Sequence, residues 1–399
     1  MIRRIQVRNF SCLRDVTVDL SPLTILIGPN ASGKSALFKA LVVLSRLLAT
    51  APVQGPRGEF RPEPGVTLDH LVWNGNSGLP IEFRVWWPND PDDQPGYTLE
   101  LRKEARGWSV SREKMQLGDR WFDSSEQAFE HDTERLGPKR WKAPYRATLC
   151  HLVRPFASDQ AASAAIAPLL ALQKRFGETR RYRVSAAAIT AFASPPKDSD
   201  DVFVNETGWG LPLVLQRLQG ETRPIFERIE RHLCSIFPHI RLINIQSERF
   251  GTGLAFTTNR SEDLVPASQE SDGVLLTTFV LWRLYTGTRN LKVCLEEPEN
   301  GLHPYLLAER YRLLRGFAHS SEGPQLLTAT HSPDFISAIE NPNEIVESIR
   351  VLEFDSAHGT RVHALQESAE LETLLRVFQN NLGELWWSGA IGAVPASDR

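Results

Sequence analysis

The run Gly28-Pro29-Asn30-Ala31-Ser32-Gly33-Lys34-Ser35 restricts the fold of this chain more than any other stretch. It satisfies G-x-x-x-x-G-K-[ST] in full, and its flanks are those the pattern needs. Leu23 to Ile27, before it, is a short apolar run suited to a strand buried on both faces. After it, from Ala36, the apolar residues Leu37, Leu41, Leu44 and Leu48 recur at helical spacing. A glycine-bounded loop between a buried strand and a helix aims backbone N–H groups and a helix N-terminus at one point, and that point suits phosphate. Residues Gly28 through Ala36 would form this cradle. Lys34 would reach the β- and γ-phosphates of ATP, and the Ser35 hydroxyl would ligate Mg²⁺.

Three further places carry chemistry. The strand-like run Leu291 to Leu295 ends in Glu296-Glu297. Carboxylates at the end of a buried strand are costly unless they serve a metal or a partner. Glu296 would hold the Mg²⁺ shell, and Glu297 would orient and polarise an attacking water; read alone, the pair also fits a solvated acidic turn before Pro298. A second polar strand end, Thr328 to Pro333, carries His331, whose ring can donate to the γ-phosphate or its leaving oxygen. Ser271-Asp272-Gly273 precedes the apolar helix Val274 to Leu284 and reads either as an anion site or as an ordinary N-cap.

Composition bounds the rest. With 399 residues, 41% hydrophobic and 23% charged, the chain has the means for a large core and is not globally disordered. A net charge of -3 excludes a chain that binds nucleic acid by overall charge, so any such contact must be local. Two basic-aromatic runs, 139–142 and 180–183, fit either phosphate contact and base stacking or strand edges with snorkelling side chains. Cys12, Cys150, Cys234 and Cys294 are far apart, with no CxxC, which excludes a disulfide framework and points to a reducing cytoplasm. No apolar run approaches the roughly 20 residues of a membrane span. The first residues run straight into strand-like alternation, leaving no room for a signal peptide.

The pattern predicts an α/β fold. Residues 3–20 read as two strands around a turn, 81–86 and neighbouring stretches as a β-rich elaboration, and 159–176 and 211–237 as helical. Strands are expected again at 291–295, 326–329 and 349–354, with a helix from Pro304 to about Phe317. The organisation expected is an ATPase core in 1–50 and 240–399, a β-rich then helical insertion in 51–204, and a helical subdomain in 205–239. Heptads are absent, and so is any long coiled-coil arm.

Taken together, these motifs resemble the ABC-type ATPase heads of the SMC/RecF/OLD group, in their stand-alone bacterial, OLD-like form. Ile5 to Leu13 looks like the group's opening strand and turn, Gly28 to Ser35 like its Walker A, and Glu270 to Val274 like its compact signature. Val293 to Pro304 is similar to its Walker B and D-loop, and Ala329 to Pro333 to its H-loop. The resemblance covers roughly 1–50 and 205–399. Glu296 stands where transporters usually carry Asp, and the signature is shorter than theirs, which argues against a transport ATPase. The Q-loop is not placed; residues 69–76 occupy its neighbourhood.

The resemblance implies a P-loop head with a mixed sheet flanked by helices, a helical lobe and a β-rich insertion. It implies two heads that sandwich ATP and Mg²⁺, with Ser271, Asp272 and Gly273 of one head facing the nucleotide of the other. It further implies a separate effector, a nuclease or toxin, in anti-phage defence or DNA maintenance, with DNA contact possible and no membrane. OLD proteins carry a Toprim nuclease with a D-x-D strand end. No D-x-D follows His331, and those at Asp90-Pro91-Asp92 and Asp198-Ser199-Asp200 lie in loop-like segments. This chain is therefore expected to be an ATPase without nuclease activity. The alternatives are a nucleotide-gated scaffold that cages a toxic partner and a RecF-like repair factor that binds DNA itself.

Overall fold

The computed structural model describes residues 1–48, 66–105, 107–117, 120–125, 128–131, 176–195, 203–339, 341–365, 369–378 and 381–391. The helix read at 159–176, Phe176 excepted, the basic run 139–142 and Asp198-Ser199-Asp200 lie outside them. In chain order the strands are β1 (Arg4–Phe10), β2 (Leu13–Asp19), β3 (Leu23–Ile27), β4 (Ile81–Trp86), β5 (Tyr97–Glu104), β6 (Gly107–Leu117), β7 (Arg120–Ser125), β8 (Ala128–His131) and β9 (Thr179–Tyr182). They continue as β10 (Ile240–Glu248), β11 (Gly251–Thr258), β12 (Val265–Pro266), β13 (Lys292–Glu296), β14 (Gln325–Ala329), β15 (Ile349–Asp355) and β16 (Gly359–Ala364). The helices are α1 (Lys34–Leu48), α2 (Ala186–Thr190), α3 (Leu211–Glu221), α4 (Arg223–Ile236) and α5 (Asp272–Tyr285). Beyond these lie α6 (Leu307–Ala318), α7 (Pro333–Ser337), α8 (Pro342–Ser348), α9 (Ala369–Val377) and α10 (Leu382–Trp387).

The central sheet runs β16-β15-β3-β14-β13-β9. All of its pairings are parallel except β15 with β16. Its inner strands β3 and β14 are buried along their whole length because both faces are covered. The two-residue repeat sends Leu23, Ile25 and Ile27 of β3 into one core, with the inner faces of α5, α6 and the helical lobe. Leu26 goes the other way, into a second core with α1 and the antiparallel sheet. Helix α1 is wedged between the two sheets, which is why its apolar residues extend well beyond one stripe; Leu37, Phe38, Leu41, Val43 and Leu44 are all buried. Helix α4 is the ordinary surface case: Phe226, Ile229 and Leu233 form one buried stripe.

The second sheet, β2-β1-β4-β5-β6-β7-β8, is antiparallel throughout. Its order sets the β-rich stretch directly against the N-terminal hairpin. The first hairpin leaves one edge of β1 open, and β4 fills it, pairing Ile5 with Val85 and Val7 with Phe83. The β-rich stretch thus continues the sheet of the N-terminal hairpin. Residues 179–182, expected within the insertion, reach the central sheet. They form β9, the edge strand of the central sheet beside β13.

A buried amide ties the two sheets together. Gln325, the first residue of β14, is 1% exposed. Its Oε1 accepts from the Ile2 N–H at 2.9 Å, and its Nε2 donates to Ile2 O at 2.7 Å and Ser21 O at 3.2 Å. Gln325→Ala leaves three backbone groups without this partner, and each buried unpaired group costs about 1–3 kcal/mol. Denaturant unfolding should show a loss of about 3 kcal/mol or more. A loss below about 1 kcal/mol would show that the clamp does not hold the sheets together.

Candidate nucleotide site

Because β3, β14, β13 and β9 are parallel neighbours, their carboxyl ends open onto one edge, where ligands of such sheets bind. From the end of β3 the chain turns through residues 28–33 into α1. Two glycines make the turn possible. Gly28 has φ 148°, and a Cβ there would lie 2.2 Å from Leu352 O of β15. Gly33 has φ 107°, and its Cβ would lie 2.3 Å from Thr360 Oγ1 of β16. Ala31 also takes a left-handed conformation, φ 61°. Thr360 donates its hydroxyl to Ser32 O at 2.9 Å, so β16 fastens the loop from behind. The sequence reading passed over Thr360; the Gly359-Thr360 pair at the start of β16 was the available signal.

Lys34 folds back over this loop. Its Nζ donates to Gly28 O at 2.6 Å, Pro29 O at 2.8 Å and Ser32 Oγ at 3.4 Å. Burial pushes its pKa down to about 8, against the opposing pull of Glu296. Ser35 is exposed on the first turn of α1.

At the end of β13, Glu296 is held by Arg181 of β9, Nε to Oε1 2.6 Å, with the two side chains 8% and 20% exposed. The Glu297 backbone is left-handed, φ 52°, and its N–H donates to Ala329 O at 2.8 Å. Arg183 approaches Glu297 at 3.6 Å. His331, at the end of β14, bonds the Gly28 backbone; burial and the Lys34 charge push its pKa down, and Glu297 pulls it up. Glu299 was missed by sequence reasoning. Its Oε1 accepts from the Thr330 hydroxyl at 2.7 Å and the His331 N–H at 3.4 Å, tying the turn after β13 to the turn after β14. Burial raises its pKa. Only its place two residues after Glu297 could have flagged it.

The structure thus brings together Gly28 to Ala36, Glu296, Glu297 and His331. Of Ser271, Asp272 and Gly273, Asp272 lines a cleft of about 650 Å³ whose walls also include Arg183, Ser185, Glu270, Glu296 and Glu297. Ser271 caps α5, accepting from the Val274 N–H at 3.4 Å. Gly273 meets a packing requirement, since a Cβ there would lie 2.6 Å from Gly301 O. The basic run 180–183 divides in a way the sequence did not show. Tyr182 is buried against Phe279, ring centroids 4.9 Å apart, and so is not open to stack on a base. Residues 69–76, near the expected Q-loop, hold two short 3₁₀ turns, with Asp69 paired to Lys103 at 2.8 Å.

The donor set fits Mg²⁺. Among the described residues no three His, Cys, Asp or Glu side chains gather as a metal cage. Mg²⁺ does not need one: it keeps waters and takes one or two carboxylates together with phosphate oxygens. The Ser35 hydroxyl and the Glu296 carboxylate are such donors, and the Arg181 guanidinium already stands as a cation on Glu296.

A family model described as "AAA domain, putative AbiEii toxin, Type IV TA system" matches residues 86–337. The chain belongs to this AAA-domain family. A second model, "AAA ATPase domain", matches residues 1–59 of this AAA-domain protein. It is 46% identical over 41 residues to an OLD nuclease of Thermus scotoductus (strain ATCC 700910 / SA-01), a match spanning 10% of this chain and only 8% of that protein. An SMC head solved with the C-winged helix domain of ScpA is 14% identical, covers 93% of this chain and 99% of its own, and superposes with a TM-score of 0.51. An Smc head with an extended coiled coil, bound to the C-terminal domain of ScpA derived from Pyrococcus furiosus, is 11% identical over 95% of this chain and 98% of its own, TM-score 0.45. The protein carries an AAA domain, and its fold is that of an SMC head. No helix among the described residues is long and apolar enough to cross a membrane.

A phosphate that replaces the loop carbonyls on Lys34 needs the charged ammonium. With the free-protein pKa lowered to about 8, nucleotide binding above that pH must take up a proton. ATP affinity is expected to fall by about tenfold per pH unit above that point. Lys34→Arg should flatten the slope, because arginine keeps its charge throughout. Equilibrium titration with a fluorescent ATP analogue between pH 7 and 10 reads this, and an equal slope in both proteins would remove Lys34 from the site.

Proposed function

We propose that this ATPase head binds Mg²⁺-ATP on the loop 28–36, hydrolyses it with Glu297 and His331, and uses the nucleotide state to control a separate effector. The observation that supports this most directly is the convergence of the loop, the Glu296-Glu297 pair and His331 on adjacent parallel strand ends. Lys34 exchanges the carbonyls of Gly28 and Pro29 for the β- and γ-phosphates, and the N-terminus of α1 faces the same charge. Ser35 and Glu296 hold Mg²⁺, which supplies neutralisation of phosphate charge and a template for the phosphates. Glu297 accepts a proton from the attacking water and aims it at the γ-phosphate. His331, its pKa lowered so that the ring is neutral at pH 7, donates one N–H to the γ-phosphate while held beside Gly28.

Two heads are proposed to close around two nucleotides, each offering Ser271, Asp272 and Gly273 to its partner's γ-phosphate. Ser271 and Asp272 are exposed at the start of α5, and Tyr305, just past the turn that follows Glu297, is 76% exposed. The solved SMC head carries ScpA. A separate partner suits this chain too, here an effector nuclease or toxin in the reducing cytoplasm, acting in DNA-directed defence or DNA maintenance. Nuclease chemistry in this chain itself is not proposed. At Asp90-Pro91-Asp92 both carboxylates are engaged: Asp90 accepts from the Trp87 N–H at 2.8 Å, and Asp92 pairs with Arg3 at 2.5 Å.

Glu297→Gln tests the catalytic assignment. It keeps the shape and loses the charge, so steady-state hydrolysis should fall by about 10² or more while ATP binding survives. ATP should then hold the variant as a dimer in light scattering. Normal hydrolysis would place the water-activating group elsewhere. The effector assignment is tested on the purified chain with plasmid, linear and single-stranded DNA, ATP and Mg²⁺ or Mn²⁺. No cleavage is expected; cleavage lost on replacing Asp90 and Asp92 would show a metal site in that turn.

A further inference from the structure

We propose that Arg181 is a positioning residue for the metal carboxylate: it holds Glu296 as a stand-in cation in the nucleotide-free head and yields that carboxylate to Mg²⁺ when ATP arrives. The inference rests on the Mg²⁺-ATP reading above. Strand β9 pairs with β13 in the register Arg181 to Cys294 and Tyr182 to Leu295. Arg181 therefore lies beside the residue two before Glu296, on the same face, and its side chain reaches forward along the strand to the carboxylate. The bond is short, 2.6 Å, and the Glu296 side chain is 8% exposed.

Burial makes this pair different from its neighbour. An uncompensated carboxylate in such a place is strongly unfavourable. Lys34, which also feels the Glu296 charge, spends its hydrogen bonds on Gly28 O, Pro29 O and Ser32 Oγ. The Arg183 pair with Glu297 is longer, 3.6 Å, and its arginine is 69% exposed, so it contributes little. Arg181 holds Glu296 Oε1, and a cation drawing on the same carboxylate would compete with it for that charge. Two consequences follow. In the wild type, ATP without metal meets a carboxylate already neutralised, so its binding is only modestly metal-dependent. Without Arg181, metal-free ATP is set against a bare Glu296, while Mg²⁺-ATP no longer has to displace a guanidinium.

The quantity to measure is the ratio of ATP dissociation constants in EDTA and in saturating Mg²⁺, by equilibrium titration with a fluorescent ATP analogue. Arg181→Met keeps the aliphatic stem and removes the charge. Its ratio is expected to rise about tenfold over wild type, equivalent to about 1.4 kcal/mol of added metal linkage. Arg181→Lys keeps the charge and should stay within about threefold of wild type, using the tenfold-per-1.4 kcal/mol scale. A ratio in Arg181→Met equal to wild type overturns the proposal, as does an equal rise in the Lys and Met variants. Where the methionine variant does not fold, Arg181→Gln makes the same comparison. Failure of the wild type to bind ATP under either condition would instead overturn the nucleotide reading.

Discussion

The loop between β3 and α1 has its shape because two of its residues carry no side chain. A Cβ at Gly28 would meet Leu352 O at 2.2 Å, and one at Gly33 would meet Thr360 Oγ1 at 2.3 Å. Both contacts come from the β15–β16 hairpin, which is itself doubly fixed. β15 lies parallel to β3 with Ile349 opposite Ile25, and the Thr360 N–H donates to Cys12 O at 2.9 Å in the turn of the first hairpin. The loop is thus pressed between the first hairpin and the β15–β16 hairpin. Larger residues at 28 or 33 would have to move β15 or β16, and with them the strand that feeds the loop.

The charges at this edge already balance before any ligand arrives. Lys34 lies on carbonyl oxygens, Arg181 on Glu296, Arg183 near Glu297, and Glu299 on the donors of Thr330 and His331. Nucleotide binding on such a surface is an exchange of partners. Phosphate would take Lys34 from the carbonyls and metal would take Glu296 from Arg181, so each gain is offset by an interaction given up. A binding site built this way couples affinity to metal and to pH, because the partners being released are themselves charged or titratable.

The parts of this protein that could be read from sequence are those in which the chemistry is contiguous. Residues 28–35 carry loop, strand and helix signals within a few positions of one another, and Glu296-Glu297 and His331 each close an apolar run. What was not legible is what pairs across the sheet. Thr179–Tyr182 contains three polar residues of four and has no alternation to mark a core strand, yet it is buried into register by β13. The pairing of β4 with β1 joins residues nearly eighty positions apart, with no local signature. Thr360 and Glu299 act through close approach to other turns, and their own neighbourhoods carry only weak signals, a preceding glycine and a place two residues after Glu297. Gly273 was legible in position but not in reason, since its requirement is set by Gly301 O.

β9 joins more than two charges. The pleat of a strand sends alternate residues to opposite faces. Arg181 is directed to Glu296, and Tyr182, one residue later, packs edge-on against Phe279 of α5. Arg283 of the same helix lies over the Tyr182 ring, 5.9 Å from its centroid. Past α2, Ala193 bridges to Thr252 of β11, so this short segment also ties to the three-stranded sheet. The helix that Tyr182 touches is the one whose N-terminus carries Ser271, Asp272 and Gly273. A close-packed interior transmits shifts and does not absorb them. The carboxylate that would hold the metal and the helix that would face a second head are therefore joined through one four-residue strand, with the buried ring of Tyr182 as the connection.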